Sequence, residues 1–260
     1  MISFGNIATI AKKDLKTYFT SPIAYILMGV FSFIMGFMFF SILQIYIAQS
    51  SQSMQYGMGK APSLTDSLIR PIFGNMNVVL LFLVPFITMR LFAEEKRNNT
   101  IELLFTAPVT LGEIVIGKFL SALAFVGVMV ALTMPYPLAL AIATKPDWGV
   151  LALAYLGTFL MIGTYVAVGL MCSALTENQI VAGVLTFGII LFFWIIKWIS
   201  YNTGSSSVLS ELLGYLSIVD HYEDFSRGVL NSKDVVFFGS SVGLFLYFTY
   251  KHLESYTWRS

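Results

Sequence analysis

The chain has 260 residues and a formal net charge of +1, with 57% hydrophobic and only 11% charged residues. Soluble domains carry about 25% charged residues, so this composition, with a mean hydropathy of +0.79, is that of an integral membrane protein. The length suits one domain, and so small a net charge gives no electrostatic footprint for nucleic acid.

Residues 1–20 read as an interfacial helix. Ile7, Ile10, Ala11 and Leu15 share one face, with Lys12, Lys13 and Lys16 mostly off it. The lysines suit the acidic headgroups of an inner leaflet or a simple positive flank. No small-residue cleavage site follows them, so the segment is expected to be retained rather than removed as a signal peptide. Ser21 and Pro22 then supply a cap and a first-turn proline.

They open the first of six stretches near the ~20 apolar residues that a bilayer-spanning helix needs: 22–46, 71–90, 114–143, 149–172, 179–199 and 234–251. Helices are expected because a lipid-exposed backbone must satisfy its own hydrogen bonds, and the alternation of barrel strands is absent. The predicted fold class is therefore an all-α membrane protein with six transmembrane helices. No internal repeat or low-complexity tract interrupts it.

Between the first two spans, "GMGKAP" at 57–62 lacks the first glycine and the hydroxyl residue of a P-loop, so ATP chemistry is assigned to another chain. Between the second and third lies the charged run "LFAEEKRNNTIELLFTAPVTLGEIVIGK", residues 91–118. Asn99 with Glu102 resembles a capping box, and Ile101, Leu104 and Phe105 form an i, i+3, i+4 apolar face. Pro108 should stop this helix at Ala107, and Thr110 with Glu113 makes a second box that starts the third span. The segment is either an interfacial helix lying on headgroups or a docking element for a partner. Lys118 is expected to snorkel or to pair with Glu113 or Glu94.

In "MPYPL", Pro135 and Pro137 should kink or end the third span. The lone Cys172 cannot form an intrachain disulfide. Lys197 with Trp194 and Trp198 fits an interfacial belt. Asn75, Asn77, Gln44 and Thr186 are expected to bridge helices or line a path. Asp220, His221, Glu223 and Asp224 carry donors suited to a metal, but also read as a wet surface, and no metal site is assigned. In the last span "GSSVG" matches a hydrolase elbow around Ser241, yet it sits in an apolar helix without a strand-to-helix turn. The same residues form G-x-x-x-G, so Gly239 and Gly243 are assigned to helix packing and no catalytic residue is assigned.

Basic residues set the orientation. With the N-terminus inside, Lys12, Lys13, Lys16, Arg90, Lys96, Arg97, Lys118, Lys251 and Arg259 lie inside, and Lys60, Arg70, Lys145, Lys197, Arg227 and Lys233 outside. Both termini are thus expected in the cytoplasm, with outer segments at 47–70 and 200–233.

The run "RLFAEEKRNNTIELLFTAPVTLGEIVIGKF" resembles the signature of ABC-2 type permeases, particularly the branch with gliding-motility and copper-enzyme-maturation permeases. "KDLKTYFTSPIAYI" resembles the family's N-terminal elbow and "DHYEDFSRGVLNSKDVVFF" its stretch before the last span, so the likeness covers nearly the whole chain. The resemblance implies a single transmembrane domain over 1–260, with a coupling helix at 93–107 and a re-entrant or amphipathic segment at 200–232. It also implies that Glu94, Glu95, Arg97, Thr100 and Glu102 contact a separate ATP-binding subunit, with Leu104 and Phe105 packing beneath. That subunit would carry ATP and Mg, this chain binding no cofactor, and a second permease, identical or related, would complete the path. The expected role is export across the bacterial cytoplasmic membrane, of a substrate these residues do not name. The alternatives are a membrane scaffold that recruits a cytoplasmic partner, and an intramembrane serine hydrolase.

Overall fold

The computed structural model describes residues 3–55, 63–102, 108–144, 146–202 and 214–257, among which there is no strand. The chain opens with α1 (Phe4–Thr20), turns at Ser21 alone, and continues as α2 (Pro22–Gln55). A π-turn over Thr65–Ile69 leads into α3 (Arg70–Thr88), where Pro71 has no N–H to continue a regular ladder. The short α4 (Ala93–Arg97) follows, then α5 (Leu111–Ala131), α6 (Pro135–Ala143), α7 (Trp148–Leu175), α8 (Gln179–Asn202), α9 (Ile218–Ser226) and α10 (Ser232–Thr257).

The ends of these helices are written locally. Thr110 Oγ1 accepts from the Glu113 N–H while Glu113 accepts from the Thr110 N–H, the reciprocal box expected from the sequence. Asp147 caps α7 through the Gly149 and Val150 amides, and Ser217 caps α9. The third span breaks at 132–134 and restarts as α6 with Pro135 in its first turn, as the missing proline donors require.

Among the described residues, five helical stretches are long and apolar enough to cross a membrane: Pro22–Ser53, Thr65–Arg97, Leu111–Ile142, Trp148–Leu175 and Gln179–Lys197. The sixth predicted stretch forms α10, which is long enough but is not one of these five. The first span is peripheral: Ala24, Phe31 and Met35 make one buried stripe while Phe33, Phe37 and Phe40 point outward.

Helix α7 is the axis of the bundle, and every residue from Met161 to Leu170 is buried. Three glycines six residues apart, hence about 240° apart in rotation, turn different faces to different neighbours. A Cβ at Gly157 would lie 2.5 Å from the Phe225 Cβ of α9. At Gly163 the nearest atom would be a Val242 methyl of α10, at 3.5 Å, and at Gly169 the Thr88 Oγ1 of α3, at 2.1 Å. Without a strong hydrophobic drive between helices in lipid, such close backbone approach supplies the van der Waals contact that holds a bundle.

Candidate functional site

The charged run after α3 folds into a tight structure pinned by α7. Ser173 Oγ accepts from the Phe92 and Ala93 amides at 2.9 and 3.0 Å and donates to the Met89 carbonyl at 2.9 Å. Lys96 is buried and donates to the Ala174 carbonyl, with its ammonium 4.7 Å from the Tyr256 ring centre. It thereby caps the C-terminal end of α7, where carbonyls lack partners and the dipole favours a cation.

The end of α4 corrects one sequence expectation. Asn99 is left-handed at φ 54°, the Thr100 amide donates to Glu95 O at 2.9 Å, and the Asn99 amide donates to Lys96 O at 3.1 Å. These are the paired bonds of a Schellman stop. Asn99 therefore closes α4 and does not cap the helical residues that begin at Ile101; asparagine suits both roles, and the left-handed geometry selects the first.

Behind this turn, Lys118 of α5 is almost wholly buried between two carboxylates. Its ammonium lies 2.8 Å from Glu95 Oε1 and 3.3 Å from Asp14 Oδ2 of α1. Its partners are thus neither Glu113 nor Glu94. Glu113 is occupied by the α5 cap and by the start of α1, accepting from the Ser3 amide and, at 3.2 Å, from Asn6 Nδ2. Along α1, Ile10 packs against Gly117, Tyr18 stacks on Phe125 with centroids 4.9 Å apart, and Tyr18 Oη donates to the Ile87 carbonyl at 3.0 Å. Burial pushes the Tyr18 phenol well above its ordinary range, against the lowering effect of Arg90, so it stays a neutral donor. The Arg90 guanidinium stands 5.5 Å from the same ring centre.

A second charged cluster ties α9 to the opposite end of the bundle. Glu223 receives Lys197 of α8 at 2.8 Å and Arg70 at the start of α3 at 3.3 Å, and it also pairs with Arg227. Lys197 also reaches Asp220 at 2.9 Å. The Lys197 hydrogen bond, opposed by burial and aided by the charges of Lys197 and Arg227, holds the Glu223 carboxyl below the usual carboxylate range. His221 lies beneath, its Nδ1 2.6 Å from the buried Asp234 and its Nε2 3.0 Å from the Tyr215 carbonyl. Its ring stacks on Phe237 with centroids 3.9 Å apart.

The chain matches the ABC-2 family transporter protein model over residues 8–250. It belongs to that family. No curated protein matches the chain. As a member of the ABC-2 family the chain is a multi-pass membrane protein and a permease component of an ABC transporter, a class that works with an ATP-binding partner and is typically non-catalytic.

Of the predicted contact residues in this ABC-2 permease, Glu94, Arg97, Thr100 and Glu102 are exposed, whereas Glu95 is half-buried and turned inward to Lys118. Leu104 and Phe105 lie outside the described residues. Among the described residues, no atom of another helix comes within 4 Å of a Cβ placed at Gly239 or Gly243. The tight glycine contacts are instead at Gly117, Gly157 and Gly169, and at Gly228 with its positive φ. Ser241 lies in the middle of α10, without the strand-to-helix turn of a hydrolase elbow. The donors considered for a metal are engaged elsewhere: Asp220 and Glu223 with Lys197, His221 with Asp234, and Asp224 with Asn231 and Lys233. Thr186 bonds its own helix at Ala182 O and lies within reach of the Cys172 thiol of α7, and the buried Asn77 amide lies within reach of the Tyr222 hydroxyl of α9, so both stand where they can bridge helices.

Two clusters were legible only in part. The basic residues assigned to one side, Arg90, Lys96 and Lys118, do share the end at which α1 lies, and Arg70, Lys197, Arg227 and Lys233 share the other. Asp14 and Ser173 went unnoticed, because nothing in the local pattern around them marks a long-range partner.

Proposed function

We propose that this permease forms the transmembrane path of a bacterial exporter and is driven through residues 93–107 by a separate ATP-binding subunit that carries ATP and Mg. In this reading Glu94, Arg97, Thr100 and Glu102 meet the partner directly, Leu104 and Phe105 pack at the contact, and Glu95 passes the displacement on. The carrying observation is the Glu95–Lys118–Asp14 triad, which joins the turn after α3 to both α5 and α1. A push on that turn must move those helices or break a buried ion pair, which is strongly unfavourable when one charge is left behind.

The reading includes six spans, with α10 as the last. Its 26 residues rise about 39 Å at 1.5 Å per residue, enough for a hydrocarbon core of about 30 Å. Basic residues favour both termini in the cytoplasm, and two permeases, identical or related, complete the path, with α9 held over its outer end by Glu223.

The test is co-purification of the ATP-binding subunit with variants, together with ATP hydrolysis in the reconstituted complex. Glu94→Lys and Arg97→Glu should weaken binding in a salt-sensitive way, because exposed charges are screened over about 10 Å at 0.1 M salt. Phe105→Ala should weaken it with little salt dependence, as loss of an apolar anchor does. Full binding and full coupled hydrolysis in all three would reduce the segment to a lipid-surface helix.

A further inference from the structure

His221 is held between two acceptors. Its Nδ1 lies 2.6 Å from Asp234 Oδ1 in the first turn of α10, and its Nε2 lies 3.0 Å from the Tyr215 carbonyl just before α9. A carbonyl oxygen can only accept, so Nε2 must carry a hydrogen. A neutral ring with its one hydrogen there would turn a bare Nδ1 on the Asp234 carboxylate, and the other tautomer would turn a bare Nε2 on the Tyr215 carbonyl. Each sets acceptor against acceptor at hydrogen-bond distance. One further proton between ring and carboxyl satisfies both contacts.

The surroundings place that proton on the ring. Asp234 is buried, its Oδ2 has no hydrogen-bond partner among the described residues, and its position in the first turn of a helix stabilises the carboxylate. A buried carboxylate needs a cation. Lys233, its neighbour in the chain, turns instead to Asp224 at 3.3 Å, and the Asp224 carboxyl stands within reach of Asp234 and adds negative charge on that side. The other charges near α9 are committed: Asp220 and Glu223 hold Lys197, and Glu223 also holds Arg70 and Arg227. Helix α7, which packs on α9 through Gly157 and Thr158, carries no charged residue. The Tyr215 ring meets the imidazole edge-on at 5.4 Å and the Phe237 ring stacks on it at 3.9 Å, a π face suited to a cation.

We propose that His221 is a buried imidazolium whose second proton latches α9 between Tyr215 and the start of α10. Release of that proton strands the Asp234 carboxylate and takes the donor from one of the two acceptors. A proton held in the fastened state and given up in the freed one makes the latch open as pH rises. The Glu223 clamp has the opposite sense, because it fails in acid. The latch stands on these contacts alone; that it answers to the pH outside the cell rests on the orientation proposed above.

The test is solid-state nuclear magnetic resonance of the complete permease complex in lipid, labelled with nitrogen-15 histidine, at about pH 8, where an ordinary imidazole is almost wholly neutral. The chain has two histidines, and the signals lost in His221→Gln belong to His221. Both of its ring nitrogens should carry hydrogen; one bare nitrogen overturns the proposal. Asp234→Asn keeps the ring and should return it to one bare nitrogen, which also identifies its signals if His221→Gln fails to fold. Protection of 218–226 against hydrogen exchange, corrected for the intrinsic rate, should fall at least about tenfold in His221→Gln at neutral pH, the loss of one charge-assisted hydrogen bond. In the parent it should fall over the pH interval in which the ring loses its second hydrogen. Unchanged protection in the variant, or loss of the ring hydrogen without loss of protection, overturns the latch. An alkaline loss that persists in His221→Gln belongs to the lysines or to Tyr215 and overturns it as well.

Discussion

The carboxylate of Glu95 and the ammonium of Lys118 meet at 2.8 Å across a buried boundary, and the second carboxylate on that ammonium, Asp14, comes from α1. One lysine thus fastens three elements separated in sequence: α1, the turn after α3 and the start of α5.

Removing the lysine should uncouple them. Lys118→Met keeps the bulk of the chain but leaves two carboxylates facing each other without a cation, and breaking such a buried pair costs roughly 3–5 kcal/mol. We expect a lower melting temperature and weakened coupling of ATP hydrolysis, with ATP-binding-subunit affinity largely retained. Lys118→Met combined with Glu95→Gln and Asp14→Asn should recover part of the stability, because the stranded charges are gone too. A triple variant no more stable than Lys118→Met would show that the triad carries no coupling energy.

Glycines should divide into two groups. Gly169→Ala places a Cβ within 2.5 Å of two Thr88 side-chain atoms, and Gly157→Ala places one within 2.7 Å of two Phe225 side-chain atoms. Each should destabilise the folded chain by about 1–3 kcal/mol, the usual range for overpacking, and Thr88→Gly should partly rescue Gly169→Ala. Gly239→Ala and Gly243→Ala meet no other helix within 4 Å among the described residues and should melt like the parent. If a second permease packs on that face, Gly243→Leu should impair assembly while Ser241→Ala stays silent, as read by size-exclusion chromatography of the complex.

The Glu223 cluster should respond to acid. Its carboxyl is held below the ordinary range, first by the Lys197 hydrogen bond and against the effect of burial. A depressed folded value means that the stabilisation is present above the unfolded value of about 4.3 and is lost as pH falls through the folded one. Protection of 218–226 against hydrogen exchange, corrected for the intrinsic rate at each pH, should therefore stay high at neutral pH and fall only below the usual carboxylate range. Glu223→Gln should exchange faster already at neutral pH and show a flatter profile there. Identical profiles for parent and variant would remove Glu223 as the fastening of α9.

Topology is open to cysteine labelling, with the native Cys172 buried and silent. Ser51→Cys and Ser232→Cys, both at exposed positions, should react with an impermeant reagent from outside. Asn98→Cys should react only after the membrane is opened. Labelling of residue 98 in intact cells would invert the orientation and with it the coupling proposal.

The sequence by itself determined what depends on neighbours along the chain. Apolar length marked six stretches, of which five form helices long and apolar enough to cross a membrane among the described residues; Ser21 with Pro22 and Thr110 with Glu113 set where helices begin, and Pro135 set where the third stretch breaks, because each acts through its own turn of backbone. Even locally it failed where one residue type serves two ends: Asn99 can cap a following helix or close a preceding one, and only the backbone angle, φ 54°, distinguishes them. Which faces meet was decided by the tertiary structure alone. The G-x-x-x-G at 239–243 is visible in the letters yet meets no other helix among the described residues, while Gly157 and Gly169, which no sequence motif marks, lie against Phe225 and Thr88. Lys118 likewise took the carboxylates of Glu95 and Asp14, because Glu113 had already been taken by the α5 cap and the start of α1. A helical face offers small residues and charges in every direction, and only packing in three dimensions assigns each of them a partner.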